Sequence, residues 1–363
     1  MKHILYTILF LFFLTGLNAQ RASTELSLAR FYLTAAASGD KVMFAGGGTR
    51  GFLPSNVVDI YDVKTGQWEQ SQLSAPRHGP AAVAAGQKIY VAGGSNLKTK
   101  EESDVIDIYD VPTKTWTTAL LSQARHNIMA VAVGNKILFA GGGVGSPGIP
   151  LTAPSDVVDI YDTSTKVWSV QKLSLPRDYM GSAVSGSKAY FAGGLGFDGK
   201  STTRIDVYDA SDNSWDTLSL PVARFAVSVA AAGNKIMFAG GQTENNEYVK
   251  RVDIWDAVNR VWSAAELSAP RVWMTTGTLC GKVIFAGGGT FNWDNKFINA
   301  ASDAVDIFDL KTQTWTTDQL SFTGCGGAGA VSGNQFLTGG GWTPPSVFNQ
   351  KVDIFTCADL NKK

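Results

Sequence analysis

One pattern recurs seven times along this chain: an arginine, a glycine pair closing an apolar run, a strand of the form V-D-I-Y-D, and a tryptophan. Self-similarity at a fixed period constrains the fold more than any local propensity, because each unit must bury its apolar faces against its neighbours. The arginines are Arg30, Arg77, Arg125, Arg177, Arg224 and Arg271, with Gly324 in the seventh place. The glycine pairs begin at Gly46, Gly93, Gly141, Gly193, Gly240, Gly287 and Gly339. The strand aspartates are Asp59, Asp107, Asp159, Asp206, Asp253, Asp306 and Asp353, and six tryptophans follow them: Trp68, Trp116, Trp168, Trp215, Trp262 and Trp315.

The spacings separate constant parts from a variable one. Aspartate to tryptophan is 9 residues (59 to 68, 306 to 315), tryptophan to the next arginine is 9 (68 to 77), and arginine to glycine pair is 16 (30 to 46). Only the step from glycine pair to aspartate changes, from 13 (46 to 59) to 19 (287 to 306). Length variation confined to one loop per repeat reads as a displayed surface on a constant scaffold.

Each repeat holds four strand candidates. In the second they are Gly79 to Ala85, Lys88 to Ala92, Asp104 to Tyr109 and Thr115 to Leu120. Gly86-Gln87 is a tight-turn pair, and Thr113, with its counterparts Thr65, Thr165, Asp212, Asn259 and Thr312, has a side chain able to bond nearby backbone. The 39 glycines among abundant Val, Ile and aromatics suit many short strands joined by turns. The 31 basic and 31 acidic side chains cancel, which gives no general attraction to nucleic acid or to an anionic membrane.

The motif R-x4-A, G-x-K-I-x-F-A-G-G, V-D-I-Y-D-x2-T-x2-W resembles the Kelch repeat, over nearly the whole chain beyond its first residues. The resemblance implies an all-β fold: a seven-bladed β-propeller of four-stranded antiparallel blades around an axis. The small residues of each first strand fit the crowded axis, and the tryptophans with the Tyr61-type aromatics fill the space between blades. The seventh repeat ends near Phe355 without its own fourth strand and tryptophan. Residues Arg21 to Ser27 stand in the matching register, so the ring is expected to close by the N-terminal strand pairing into the last blade. Closure of that kind removes two exposed sheet edges.

The strand order places the six arginines and the variable loops on one face, around one end of the axial channel. Two readings of the arginines stand open. Related Kelch propellers bind partners on this face, some through arginines at this position, which implies guanidinium recognition of carboxylates. Alternatively the arginines pair with the strand aspartates of adjacent blades and serve the repeat.

Departures from the repeat speak more directly to function. Phe31, His78, His126, Asp178, Phe225 and Val272 follow the arginines, and Tyr32, Tyr179 and Trp273 come next in three repeats. Such a mixture of aromatics with a few ionisable groups suits a small polar ligand or a peptide side chain. The longest loops add Phe291, Trp293 and Phe297 in the sixth repeat and a Pro- and Gly-rich segment, Gly143 to Ser155, in the third; Trp342 joins them in the seventh. Exposed aromatics beside amides and charges suit sugar stacking or protein hot spots.

His78 and His126 sit in adjacent repeats at one register. The galactose oxidase branch of the superfamily holds copper with two His and two Tyr, but that set does not map here, and no metal or cofactor is expected. No phosphate loop or nucleophile elbow stands out. The preferred reading is a protein- or glycan-binding module acting through the arginine- and loop-bearing face, expected as a monomer. A second is a carbohydrate-active enzyme of the sialic acid mutarotase, epimerase or galactose oxidase kind, with Asp178 or His78 as acid or base.

At the N-terminus, Lys2 and His3 precede an apolar run from Ile4 to Leu17 and the small-residue site Leu17-Asn18-Ala19. That run is short for a membrane span and suits a signal peptide over residues 1–19, with a secreted or periplasmic product. The propeller is then expected over 20–357, with a short polar tail at 358–363. Cys280, Cys325 and Cys357 are an odd number, so at least one thiol is expected free, and no pairing is assigned.

Overall fold

The computed structural model describes residues 21–145, 153–292, 297–344 and 347–361, with side chains of 292–299 left aside. The expected leader, residues 1–19, lies outside the described residues, as does Trp293. Seven four-stranded antiparallel sheets stand in a ring. The first blade runs outward through Thr34–Ser38, Lys41–Ala45, Val57–Asp62 and Trp68–Gln72, and the second through Ala81–Ala85, Lys88–Ala92, Val105–Asp110 and Thr115–Leu120. The innermost strand there begins at Ala81 rather than at Gly79, because Gly79 holds φ +54° and Pro80 has no N–H for a ladder. Among the described residues no helix is long and apolar enough to cross a membrane.

Alternation within each second and third strand sends apolar side chains to both sheet faces, so every neighbouring pair of blades shares a core. Met43, Ala45, Val58 and Ile60 of the first blade pack with Ile89, Val91 and Tyr109 of the second, and equivalent clusters fill the other junctions. The tryptophans lie on the outer strands against the aromatic of the paired strand: Trp68 meets Tyr61 at 5.0 Å and Trp116 meets Tyr109 at 4.8 Å. Trp116 also donates its Nε1–H to Ser71 of the preceding blade (2.8 Å), which ties the outer rims together. In the first six blades the outer turn is capped by the aspartate that ends the third strand, not by the turn threonines alone. Asp62 accepts the N–H groups of Lys64 and Thr65 and pairs with Lys41 at 2.6 Å.

The glycine pairs are where blades touch through backbone. Gly142 holds φ +95°, and a Cβ there would stand 2.3 Å from the His126 carbonyl oxygen; one on Gly240 would stand 2.2 Å from that of Arg271 in the next blade. The seventh pair opens at Gly340 rather than Gly339. Gly340 N–H donates to Lys351 as Gly46 donates to Val57, while Gly339 ends a strand in the place of Ala45. With Gly340 first, the interval from Gly324 is again 16 (324 to 340).

The ring closes as expected. Ser23–Glu25 pairs antiparallel with Lys351–Thr356, with Ser23 opposite Asp353. Arg21 occupies the place of the absent tryptophan: its guanidinium lies 3.8 Å from the Phe355 ring centroid and pairs with Asp318 of the sixth blade. A covalent staple reinforces the junction, because Cys280 on the sixth blade is bonded to Cys357 just past the last strand of the seventh. The free cysteine is Cys325, which is buried. Residues Cys357–Leu360 form a helical turn capped by Thr356, with Leu360 buried in the cluster between blades six and seven. The boundary expected at residue 357 therefore falls inside packed structure, since Leu360 supplies apolar area that the polar residues around it conceal in sequence.

Candidate functional site

The arginines turn away from solvent. Arg30, Arg77, Arg125, Arg177, Arg224 and Arg271 are all at most 2% exposed. Each is paired with the aspartate of its own blade: Arg30 with Asp59, Arg77 with Asp107, Arg125 with Asp159, Arg177 with Asp206, Arg224 with Asp253 and Arg271 with Asp306. The guanidinium also donates to carbonyls of its own blade, as Arg125 does to Gly141 (2.8 Å) and Val157 (2.6 Å). Burial lowers the arginine pKa values, to about 10 for Arg177 and Arg224, while the paired carboxylates oppose the shift. The guanidinium ring expected as a ligand site is thus consumed within the scaffold. The partner acids come from the same blade and not the adjacent one, because the arginine enters its sheet just before the innermost strand and reaches along it to the third.

The residues after each arginine form the mouth of the channel. Phe31, His78, His126, Asp178, Phe225, Val272 and Cys325 each make an antiparallel bridge to the start of a variable loop, at Gly48, Ser95, Gly143, Leu195, Gln242, Gly289 and Trp342. The next residue is left-handed in every blade, with φ of +47° at Tyr32, +54° at Gly79, +52° at Asn127, +53° at Tyr179, +52° at Ala226, +52° at Trp273 and +68° at Gly326. Backbone bonds run between neighbours of this ring: Tyr32 N–H donates to Gly326 (2.7 Å), Gly79 to Tyr32 (2.9 Å) and Ala226 to Tyr179 (2.8 Å). Glycine meets this requirement without strain, whereas a bulky side chain costs on the order of 1–3 kcal/mol. Three of the seven positions nonetheless carry Tyr or Trp.

These rings wall a cavity of about 780 Å³ on the axis. Tyr32, His78, His126, Asp178, Tyr179, Trp273, Phe291 and Trp342, all anticipated from sequence, line it together. Phe297 pairs its backbone with Asn292 in the sixth-blade hairpin. Trp273 is the hub of the aromatics, 5.7 Å from Tyr32, 6.4 Å from Tyr179 and 5.7 Å from Phe291. Phe291 is fixed by Tyr248 of the fifth blade, whose hydroxyl receives the Phe291 N–H at 2.8 Å and donates to its carbonyl. Burial raises the phenol pKa values of Tyr32 and Tyr179 and pushes the Cys325 thiol up to about 12, so all three are neutral at physiological pH.

The ionisable groups fall into two kinds. His78 is 4% exposed, burial pulls its pKa down to about 4, and neither ring nitrogen meets a hydrogen-bond partner among the described residues. His126 is held: Nδ1 lies 2.7 Å from Glu102, and Nε2 lies 3.9 Å from Asp178. Asp178 also accepts the Tyr179 N–H at 2.7 Å. Glu102 was not anticipated. It sits on the short hairpin Ser95–Asn96 and Glu101–Glu102 of the second blade, and only its place in a variable loop hinted at a role.

Comparison with known families agrees with the repeat. The chain matches the KLHDC2/KLHL20/DRC7 Kelch-repeats domain over residues 126–340 and the Kelch motif over residues 76–119. It is similar to the Rab9 effector proteins with kelch motifs of Bos taurus and Rattus norvegicus, at 39% identity over 70 residues in each case. The matched segment covers 18% of this chain and 19% of each relative.

Proposed function

The chain belongs to the Kelch-repeat family, and from that premise we propose that it is an exported recognition module that engages a partner through the loop-bearing mouth of its axial cavity. Kelch propellers are commonly protein-interaction modules, and a protein is the partner favoured here, with a glycan as the other occupant of the same chemistry. One observation carries the reading: Tyr32, Tyr179 and Trp273 occupy left-handed positions that suit glycine, and all three face the cavity. A residue that serves the repeat recurs in it. These do not, and an unfavourable backbone retained for a side chain points to that side chain's use.

Export is supported by the apolar run after Lys2 and by the Cys280–Cys357 disulfide, a bond that persists in oxidising compartments. Sequencing the protein recovered outside the producing cells should find Gln20 as its first residue, and light scattering should return a monomer. The binding test is affinity capture from the surroundings of those cells, run beside a glycan array, with wild type and with Tyr32→Gly, Tyr179→Gly and Trp273→Gly combined. Recognition at the mouth predicts partners retained by wild type and lost from the folded variant. An unchanged set would place binding elsewhere.

A second reading is favoured by the Glu102–His126 pair, which orients an imidazole as a general acid or base does require. A carbohydrate-active enzyme would exchange anomers or epimers of a sugar, measurable by NMR. That turnover should vanish in His126→Gln with the fold intact.

A further inference from the structure

His78 stands apart from the other ionisable groups on the cavity wall. His126 is engaged by Glu102 at 2.7 Å, and Asp178 accepts the Tyr179 N–H at 2.7 Å. His78 is 4% exposed, and neither of its ring nitrogens has a hydrogen-bond partner among the described residues. The same register carries Phe31, Phe225 and Val272 in other blades, so an apolar side chain suits this place. Burying imidazole nitrogens there without partners costs stability that those residues avoid. Burial also keeps the ring neutral, which leaves it one N–H and one acceptor nitrogen.

The neighbours of this imidazole are rings. It leans on the first blade, where a Cβ on Gly48 would stand 2.2 Å from its Nε2, so the absence of a side chain there makes room for it. Its ring centroid is 5.8 Å from that of Phe31, which in turn has Tyr32, Phe52 and Trp342 at 5.0, 5.5 and 5.9 Å. All five residues line the cavity of about 780 Å³, whose described wall is otherwise mainly apolar. A flat ring packs edge to face among such groups, and a hydroxyl on it would meet the imidazole beside them. A phenolic O–H is a stronger donor than an aliphatic one, because the charge of its conjugate base spreads into the ring.

We propose that the axial cavity seats a phenol, its ring among Phe31, Phe52 and Trp342 and its hydroxyl hydrogen-bonded to His78. This deepens the recognition reading and rests on it. The phenol, borne by a tyrosine side chain of a protein partner or by a free small molecule, is the feature that the mouth selects.

The test is an NMR titration of the whole protein with p-cresol, with toluene, which lacks the oxygen, and with p-methylanisole, which keeps the oxygen and lacks the donor. p-Cresol should bind roughly tenfold or more tightly than either analogue. His78→Phe, which brings in the residue found at Phe31 and Phe225, should erase that preference and leave toluene bound as before. Phe52→Gly removes a wall ring and relieves a left-handed residue (φ +58°), so it should weaken p-cresol and toluene alike and keep the preference. N-acetyltyrosinamide, compared with N-acetylphenylalaninamide, distinguishes the two sources. Selective binding of the tyrosine derivative identifies a protein-borne phenol, and binding of p-cresol alone identifies a free one. Equal binding of toluene, tighter binding of the anisole, a preference that survives in His78→Phe, or no saturable binding of p-cresol would overturn the proposal. If p-cresol fails to bind while partner capture is still lost from the combined Tyr32→Gly, Tyr179→Gly and Trp273→Gly variant, recognition at the mouth stands and the phenol assignment alone falls.

Discussion

Arg251 donates its Nε–H to Asp253, two residues along the same strand, at 2.7 Å. In the other six blades the aspartate instead receives the backbone N–H of a serine three residues before the arginine position: Ser27, Ser74, Ser122, Ser174, Ser268 and Ser321. The fifth blade has Pro221 at that place, and proline has no N–H to give. Residues two apart on a strand share a face, so an arginine at 251 is within reach of the orphaned oxygen. In five blades the carboxylate, at Asp59, Asp107, Asp159, Asp206 and Asp306, therefore does two things at once: it neutralises the buried arginine of its own blade and anchors the segment arriving from the blade before.

Removing the substitute donor should expose that second task. Arg251→Met is expected to lower stability by about 1–3 kcal/mol, the cost of an unsatisfied buried acceptor. Adding Pro221→Ser should recover most of the loss, measured by urea denaturation. No recovery would mean that Arg251 acts through its outer packing and not through this bond.

The buried ion pairs make an asymmetric prediction. Arg125→Met leaves Asp159 buried without its partner and should cost about 3–5 kcal/mol. Replacing both, Arg125→Met with Asp159→Leu, should cost less than the single change despite altering more atoms. A double variant weaker than the single would show that the anchoring of Ser122 by Asp159 outweighs the ion pair.

Ring closure rests on two links of different kinds. Cys357→Ser opens a loop of 77 residues and should lower stability by up to about 4 kcal/mol on the chain-entropy estimate. Deleting residues 21–27 removes the strand opposite Lys351–Thr356 and leaves open edges, so lower thermal stability and concentration-dependent aggregation are expected. Unchanged melting of the deletion would refute closure by this strand.

His78 predicts a pH effect with a definite sign. Its pKa is pulled from 6.5 to about 4 by burial, so as pH falls the unfolded chain takes up the proton first. The stability it permits is intact above about pH 6.5 and is lost progressively towards pH 4. His78→Phe, the residue found at Phe31 and Phe225 in the same register, should flatten that part of the melting profile. The turn aspartates Asp62 and Asp309, held near 2 chiefly by Lys41 and Lys282, lose their contribution only at lower pH and leave this window clear.

Much of the mouth was legible in the sequence. His78, His126, Asp178, Tyr32, Tyr179 and Trp273 stood out because they break a repeat whose other members are constant. The arginines misled for the converse reason: the pattern showed that they recur, but not whether a guanidinium points out of the ring or back along its own sheet. Gly339 misled because three glycines run together, and only the bond from Gly340 to Lys351 identifies which of them starts the pair.

By itself the sequence determined the number of blades, their four strands and the need for an N-terminal strand to complete the last one. Those features follow from local alternation and constant spacing, which every repeat restates. Tertiary structure alone decided what meets across blades: Glu102 with His126, Tyr248 with Phe291, Cys280 with Cys357, Arg21 with Asp318. Such contacts depend on how far each sheet turns about the axis, a property of the packed ring that no single repeat contains.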